Sequence, residues 1–159
     1  MWPRYQMLVL ATDVADAVVN VSGLAADRAL QGWDVVAAVV SSSAMDLMRV
    51  VGARLSDFNT IFEAPDFAGA IAVAADLLNV RPDVRQFVTS AMRNVETELL
   101  VWGAPACAGT GVSFQLKAYK PSVAARAFEV HALRGLRIAP QPGAMHEVFA
   151  GAELSTPGE

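Results

Sequence analysis

The chain has 159 residues, carries a formal net charge of -4, and is 54% hydrophobic but only 18% charged. These values fit one globular domain of ordinary size. Its basic residues are scattered singly and form no stripe that could neutralise nucleic-acid phosphates, and no apolar run approaches the roughly 20 residues of a spanning helix. We therefore expect no nucleic-acid or membrane partner. The low charge fraction favours apolar surface covered by a protein partner, most simply a second copy in a homodimer.

The cysteine and histidine content argues against metal and cofactor chemistry. Cys107 is the only cysteine, so the chain can form neither an internal disulfide nor a thiolate cage, which suits a reducing cytoplasm. His131 and His146 have no clustered carboxylate in the sequence. We expect no metal site, no catalytic triad and no cofactor.

Strands and helices alternate in the first half of the chain, where short apolar runs are separated by segments with helical spacing. Thr12 or Asp13 is placed to cap the first helix. In chain order we predict a strand at Met7–Ala11, a helix to about Leu30, a strand at Val35–Val40, a helix from Ser43 to about Leu55, a strand at Asn59–Glu63 and a helix from Pro65 to Pro82.

After Pro82 the pattern allows two interpretations. In the first, residues 83–94 form a helix and Leu99–Trp102 a strand. In the second, Val84–Ser90 is a strand, because of its β-branched content, and residues 94–106 form a helix. We prefer the second, because it gives five βα units and hence a single α/β domain with a doubly wound, mainly parallel five-stranded sheet flanked by helices.

Both interpretations predict a strand at Val112–Tyr119 and a helix from Pro121 that Gly135 ends. We place the domain at residues 1–139 and a Pro/Gly-rich tail at residues 140–159. Within the tail, residues 145–149 have the spacing of a short helix, which is too short to be stable alone and should dock through Phe149.

The order of these elements resembles a response-regulator receiver domain, the CheY-like fold of two-component signalling. Ser90-Ala91 at the end of the proposed fourth strand is similar to the family's Thr/Ser-Ala, and Lys120-Pro121 is similar to its Lys-Pro. Pro65 with Gly69 is similar to the loop after its third strand. The resemblance implies a sheet edge at which Asp13, Ser90 and Lys120 converge.

The chain departs from the family where receiver chemistry needs carboxylates. Ala11 and Thr12 stand at the acidic pair, and Ile61 stands at the phosphoacceptor position. None of the three can ligate Mg²⁺ or accept a phosphoryl group. The resemblance therefore implies a degenerate pseudo-receiver, in which Asp13, Ser90 and Lys120 remain as a relic cluster and Glu63 could mimic a charged acceptor.

This resemblance implies a signalling or regulatory module that is not an enzyme, is independent of phosphorylation and acts through protein–protein contacts. Its interface would include Leu99, Leu100, Val101 and Trp102, since four successive apolar residues cover every side of a helix. If they form a strand, this argument fails. The alternative is a small Rossmann-like enzyme or a nucleotide- or small-ligand-binding domain, which would use loops at the carboxyl ends of the strands, at Ser41–Ser43 and Gly109–Gly111.

Overall fold

The computed structural model describes residues 5–40, 52–56, 58, 69–93, 97–103, 113–139 and 147–153. The strands in these ranges are β1 (Gln6–Ala11), β2 (Asp34–Val39), β3 (Arg54–Leu55), β4 (Gly69–Ala74), β5 (Glu98–Trp102), β6 (Ser113–Tyr119) and β7 (Glu147–Glu153). The helices are α1 (Val14–Leu30), α2 (Ala75–Val80), α3 (Pro82–Ala91) and α4 (Val123–Gly135). None of these helices is long and apolar enough to cross a membrane.

The strands form one sheet in the order β3-β2-β1-β4-β5-β7-β6. Neighbouring strands from β3 to β5 are parallel, whereas β7 is antiparallel to both β5 and β6. In β1, β2 and β4 every residue after the first is buried, which explains why they are continuous apolar runs in the sequence. The predicted α/β class, with a parallel sheet flanked by helices, is confirmed. The expected five strands are wrong, because the described residues contribute seven. Gly69–Ala74 and Arg54–Leu55 form β4 and β3, although the sequence predicted both segments as parts of helices.

Helix α1 begins and ends as its sequence indicates. The Asp13 carboxylate accepts a hydrogen bond from the Asp16 backbone N–H at 2.7 Å and so caps the first turn. Gly32, with φ of +94°, follows the last turn.

The connections from β1 to β2 and from β4 to β5 run in opposite directions across the sheet. Right-handed crossovers therefore place α1 on one face and α2 with α3 on the other.

The structure adopts the first of the two interpretations after Pro82, so the preferred one was wrong. Residues 82–91 form α3, with Pro82 at its start and Val84 and Val88, four residues apart, buried on its inner side. Residues 98–102 form β5 between β4 and β7. Because Leu99, Leu100, Val101 and Trp102 are at most 6% exposed, they belong to the core and do not form the expected helical docking surface.

The predicted division at residue 139 also differs from the structure. Residues 147–153 form β7, inserted between β5 and β6, where the sequence favoured a short helix. Phe149 does pack against the domain and is 1% exposed. The strand replaces the helix because β5 and β6 offer backbone partners along most of its length, and such long-range pairing leaves no periodic signal in a short segment.

Two buried carboxylates attach β6, α4 and β7 to α1. Asp27 accepts hydrogen bonds from the Tyr119 hydroxyl at 2.6 Å, from the Ser122 N–H at 2.9 Å and from the Ser122 hydroxyl. Glu147 accepts from the backbone N–H groups of Gly23 and Leu24 in the middle of α1, each at 2.8 Å. Helices α1 and α4 consequently pack against each other on the same face of the sheet.

The pKa values of these two carboxylates are shifted in opposite directions. It raises the pKa of Asp27, but the hydrogen bonds from Ser122 and Tyr119 outweigh it and leave this pKa below its ordinary value. For Glu147, burial dominates and raises the pKa to about 8, although the two helix N–H groups oppose the shift; the nearby Glu129 adds to it. Burial also raises the pKa of Glu129.

Candidate functional site

The order of the strands creates a topological switch point at the carboxyl ends of β1 and β4. These strands are adjacent, but the connection after β1 leads to β2 on one side, while the connection after β4 leads to β5 on the other. Such a switch point is where open α/β sheets bind ligands, because the two connections leave in opposite directions. Here it is bounded by Thr12 and Asp13 after β1, and by Ala75 and Asp76 after β4.

A hydrogen-bond network centred on Asp16 lies beside this switch point. Asp16 Oδ1 accepts from the Trp102 indole N–H at 3.0 Å and from the Asn20 amide at 3.0 Å. Asp16 Oδ2 accepts from the Thr12 hydroxyl at 3.1 Å. The Asn20 amide also donates to the Asp16 backbone carbonyl at 2.8 Å. With donors on both oxygens, the Asp16 carboxylate is held in one orientation and organises the residues around it.

Trp102 forms one side of the network. It ends β5, and its bond to Asp16 reaches the connection that follows β1, so its side chain spans the end of the intervening strand β4. Ala74 and Ala75 at that end have only methyl side chains, which leave room for the indole. Trp102 is 3% exposed. The next residue, Gly103, has a φ of +101°, a conformation that favours glycine.

Asp13 is one of two exposed carboxylates at the site, with Asp76. Its Oδ1 accepts the capping bond from the Asp16 N–H, and the residue is exposed. In the part of the chain that the structure describes, no hydrogen bond occupies its Oδ2. That oxygen is available to orient a water molecule or to accept a proton from it.

The charge at this edge favours neutral or cationic ligands. Asp13, Asp16 and Asp76 lie in or next to the first turns of α1 and α2, and the connection from Thr12 to Asp13 has no glycine that would let backbone N–H groups surround a phosphate. Among the residues that the structure describes, no group of three His, Cys, Asp or Glu side chains could hold a metal ion.

Only one member of the predicted relic cluster lies at this site. Asp13 is there, whereas Ser90 is an exposed residue near the end of α3 and Lys120 is exposed between β6 and α4. No hydrogen bond or ion pair joins these three described residues. Because residues 84–90 are helical, Ser90 does not stand at the end of a strand, and the expected convergence with Lys120 is not formed.

Other candidates from the sequence fall outside the described residues. These are Glu63 and Ile61, Ser41–Ser43, Cys107, Gly109–Gly111 and His146. Their predicted roles stay predictions. His131 is described, and it is an exposed residue of α4.

Asp16 and Asn20 were not among the residues predicted from the sequence, and Trp102 was predicted as part of a docking interface rather than of this site. A signal for the first two was present, since Asp16 and Asn20 are four residues apart at the start of the first helix and so share one side of it directly after a buried strand. For Trp102 no local signal existed. Its contact with Asp16 joins residues 86 positions apart and depends on the pairing of β1, β4 and β5.

No protein-family model matches the sequence, and no curated protein is significantly similar to it. Solved structures are similar in fold. The teicoplanin deacetylase of the teicoplanin biosynthetic pathway, in complex with teicoplanin, superposes with a TM-score of 0.63 at 10% identity, covering 94% of this chain and 100% of that one. The zinc-inhibited form of teicoplanin deacetylase Orf2 gives 0.63 at 11% identity, with 96% and 100% covered. The A40926 pseudoaglycone deacetylase Dbv21 gives 0.57 at 12% identity, with 94% and 97% covered.

These similarities show the fold, and together with the sheet they overturn the receiver resemblance. The three solved structures named above are deacetylases and not receiver domains. The order β3-β2-β1-β4-β5-β7-β6, with an antiparallel β7, also departs from the five βα units on which the resemblance was based. The interpretation as a non-catalytic pseudo-receiver of two-component signalling was therefore wrong.

Proposed function

We propose that the chain is an enzyme of the deacetylase type, which acts on small molecules and hydrolyses an amide bond to an acyl group. Its active site would lie at the carboxyl ends of β1 and β4. The observation that carries this proposal is the Asp16 network beside an accessible Asp13 carboxylate at the switch point of the sheet. The fold shared with teicoplanin and A40926 deacetylases supports the choice of reaction. The proposal develops the small-enzyme alternative that the sequence analysis left open.

In this reaction Asp13 acts as the general base. Its Oδ2 removes a proton from a water molecule as the water oxygen attacks the carbonyl carbon of the acyl group. The C–N bond then breaks, the proton returns to the leaving nitrogen, and the products are a free amine and a carboxylic acid. The amine product is cationic at neutral pH, which suits an edge that carries Asp13, Asp16 and Asp76.

The Asp16 network positions the groups that would contact the acyl amide. Because the Thr12 hydroxyl donates its proton to Asp16, its oxygen is left to accept the N–H of a substrate amide. The Trp102 indole, fixed by the same carboxylate, supplies an apolar wall on the side of β5. The substrates that this arrangement fits are neutral N-acylated amines, and a phosphorylated substrate would be repelled.

The proposal is tested by measuring acetate release from N-acetylated amines, such as N-acetylglucosamine and N-acetylated amino acid amides. We expect the wild type to release acetate and Asp13→Asn to lose at least 100-fold in kcat, since an amide cannot accept the proton. Asp83→Asn is the matched control, because Asp83, like Asp13, is an exposed aspartate at the start of a helix, and it should retain full activity.

A second variant tests the network. Trp102→Phe removes the indole donor to Asp16 and should raise KM or lower kcat at least tenfold, while the far-UV circular dichroism spectrum stays that of the wild type. Acetate release that is equal in the wild type, Asp13→Asn and Asp83→Asn would contradict the assignment of the site. The absence of turnover and of thermal stabilisation by any N-acetylated amine would contradict the proposed reaction.

A cytoplasmic location is part of the same proposal. It is supported by the presence of Cys107 as the chain's only cysteine, which leaves no internal disulfide for an oxidising compartment to maintain.

A further inference from the structure

One face of α4 is apolar and exposed. Val123 is 90% exposed and Phe128 39% exposed, and Ala124 and Ala127 between them are also exposed. At 100° per residue these four side chains span one side of the first two turns. The opposite side of the helix, with Ala125, Glu129, Ala132 and Leu133, is buried against the domain. We call the exposed set of Val123, Ala124, Ala127 and Phe128 the α4 patch.

Exposed basic residues flank the α4 patch along the chain. Lys120 precedes the helix, Arg134 lies in its last turn and Arg137 follows it, and all three are exposed. Arg134 projects on the same side of the helix as Ala127, from which it is seven residues away. The patch is therefore an apolar surface with positive charge at both ends.

Residues 113–139, which contain β6 and α4, differ in charge from the rest of the chain. Residues 113–139 contain five of the twelve lysines and arginines but only one of the sixteen acidic residues, which leaves seven basic and fifteen acidic residues elsewhere. The single acid, Glu129, is buried and paired with Arg126 at 2.8 Å, so it offers no negative charge at the surface. In a net-acidic protein, α4 and the residues next to it therefore carry three exposed basic side chains, Lys120, Arg134 and Arg137, and no exposed acidic one.

We propose that the α4 patch is the docking surface for an acidic amphipathic helix of another protein. Apolar side chains of the partner would cover Val123 and Phe128, and its carboxylates would pair with Lys120, Arg134 and Arg137. Ala124 and Ala127 at the centre have short side chains, which let the backbone of a second helix approach closely. This proposal does not depend on the enzymatic function.

The same features disfavour two other occupants. In a two-fold dimer through α4, the basic ends of one patch would face the same basic residues of the second copy, and like charges across an interface repel. An anionic lipid surface would match the charge, but insertion needs large protruding apolar side chains. Here the centre of the patch is alanine, and Phe128 is more than half covered. A complementary helix fits the charge and the shape together.

The probe for this proposal is a fluorescein-labelled 18-residue helical peptide with leucine on one face and glutamate on the other, compared with the same peptide carrying lysine for glutamate. Binding to the full chain is followed by fluorescence anisotropy. We expect the glutamate peptide to bind at least tenfold tighter than the lysine peptide, with an affinity that falls as salt is raised. Val123→Glu and Arg134→Glu should each weaken binding at least tenfold. Val80→Glu, at a site 76% exposed on α2, is the matched control and should bind like the wild type.

Three results would overturn the proposal. The first is equal binding of the glutamate and lysine peptides, or equal binding of the glutamate peptide by the wild type and Val123→Glu. The second is tighter binding to vesicles containing phosphatidylglycerol than to the glutamate peptide, with loss of vesicle binding in Val123→Glu. The third is a wild-type dimer in sedimentation velocity that Val123→Glu, but not Val80→Glu, dissociates. Because Val123 is almost fully exposed, its substitution leaves the core intact.

Discussion

At the scale of single residues, Gly23 is a helix position at which a substitution by alanine should lower stability. Alanine in place of glycine normally stabilises a helix by about 1 kcal/mol. At Gly23, however, a Cβ atom would collide with the ring of Pro121 and would lie 3.0 Å from Glu147 Oε2. We expect Gly23→Ala to lower the free energy of unfolding by about 1–3 kcal/mol in urea denaturation, the cost of overpacking.

Val19→Ala is the control for this prediction, because Val19 lies on an exposed side of the same helix. Its free energy of unfolding should change by no more than about 0.5 kcal/mol. A Gly23→Ala variant that is more stable than the wild type would show that Pro121 and Glu147 do not pack against α1 at this point.

At the scale of elements, the contact between β7 and α1 should make stability depend on pH. The pKa of Glu147 is raised by burial to about 8 in the folded chain, against an ordinary value of 4.5. The folded state therefore holds a proton that the unfolded state releases, so stability is full below about pH 4.5 and is lost as the pH rises towards 8. The slope approaches about 1.4 kcal/mol per pH unit for one proton.

Urea denaturation between pH 5 and pH 8 measures this slope. Glu147→Gln should make it shallower, because the variant has no proton to lose, while Glu98→Gln, at an exposed residue of β5, should leave it unchanged. Glu129, whose pKa burial also raises, accounts for a remaining slope of the same sign. Stability that rises over this range in the wild type would contradict the assigned burial of Glu147.

At the scale of the whole molecule, we expect residues 147–153 to be required for the fold. They pair with β5 and along the full length of β6, and they bring Phe149 into the core. Deleting residues 140–159 should abolish cooperative thermal unfolding, because β6 would lose its only pairing within the described sheet. A chain ending after Glu153 keeps β7 and should unfold cooperatively. Cooperative unfolding of both truncated chains at the same temperature would show that β7 is dispensable.

The sequence by itself determined the elements whose signals are local. The apolar runs at Met7–Ala11 and Val35–Val40 predicted β1 and β2, because strands buried on both faces must be apolar throughout. Thr12 or Asp13 predicted the start of α1, and Asp13 is the one whose carboxylate accepts a free N–H of the first turn. The α/β class followed from the alternation of these elements, and Asp13 also proved to be an exposed carboxylate of the candidate site.

Tertiary structure decided everything that depends on pairing between distant residues. The β-branched residues of 84–90 favour a strand locally, but Val84 and Val88 are buried on one side of a helix, and burial outweighs a propensity difference of about 1 kcal/mol. The residues of β7 become a strand only because β5 and β6 leave space between them. Likewise, the contact between Trp102 and Asp16 exists only because β4 lies between β5 and β1 in the sheet. A contact between residues far apart in the chain is specified by the complete sheet, and no short segment contains the information for it.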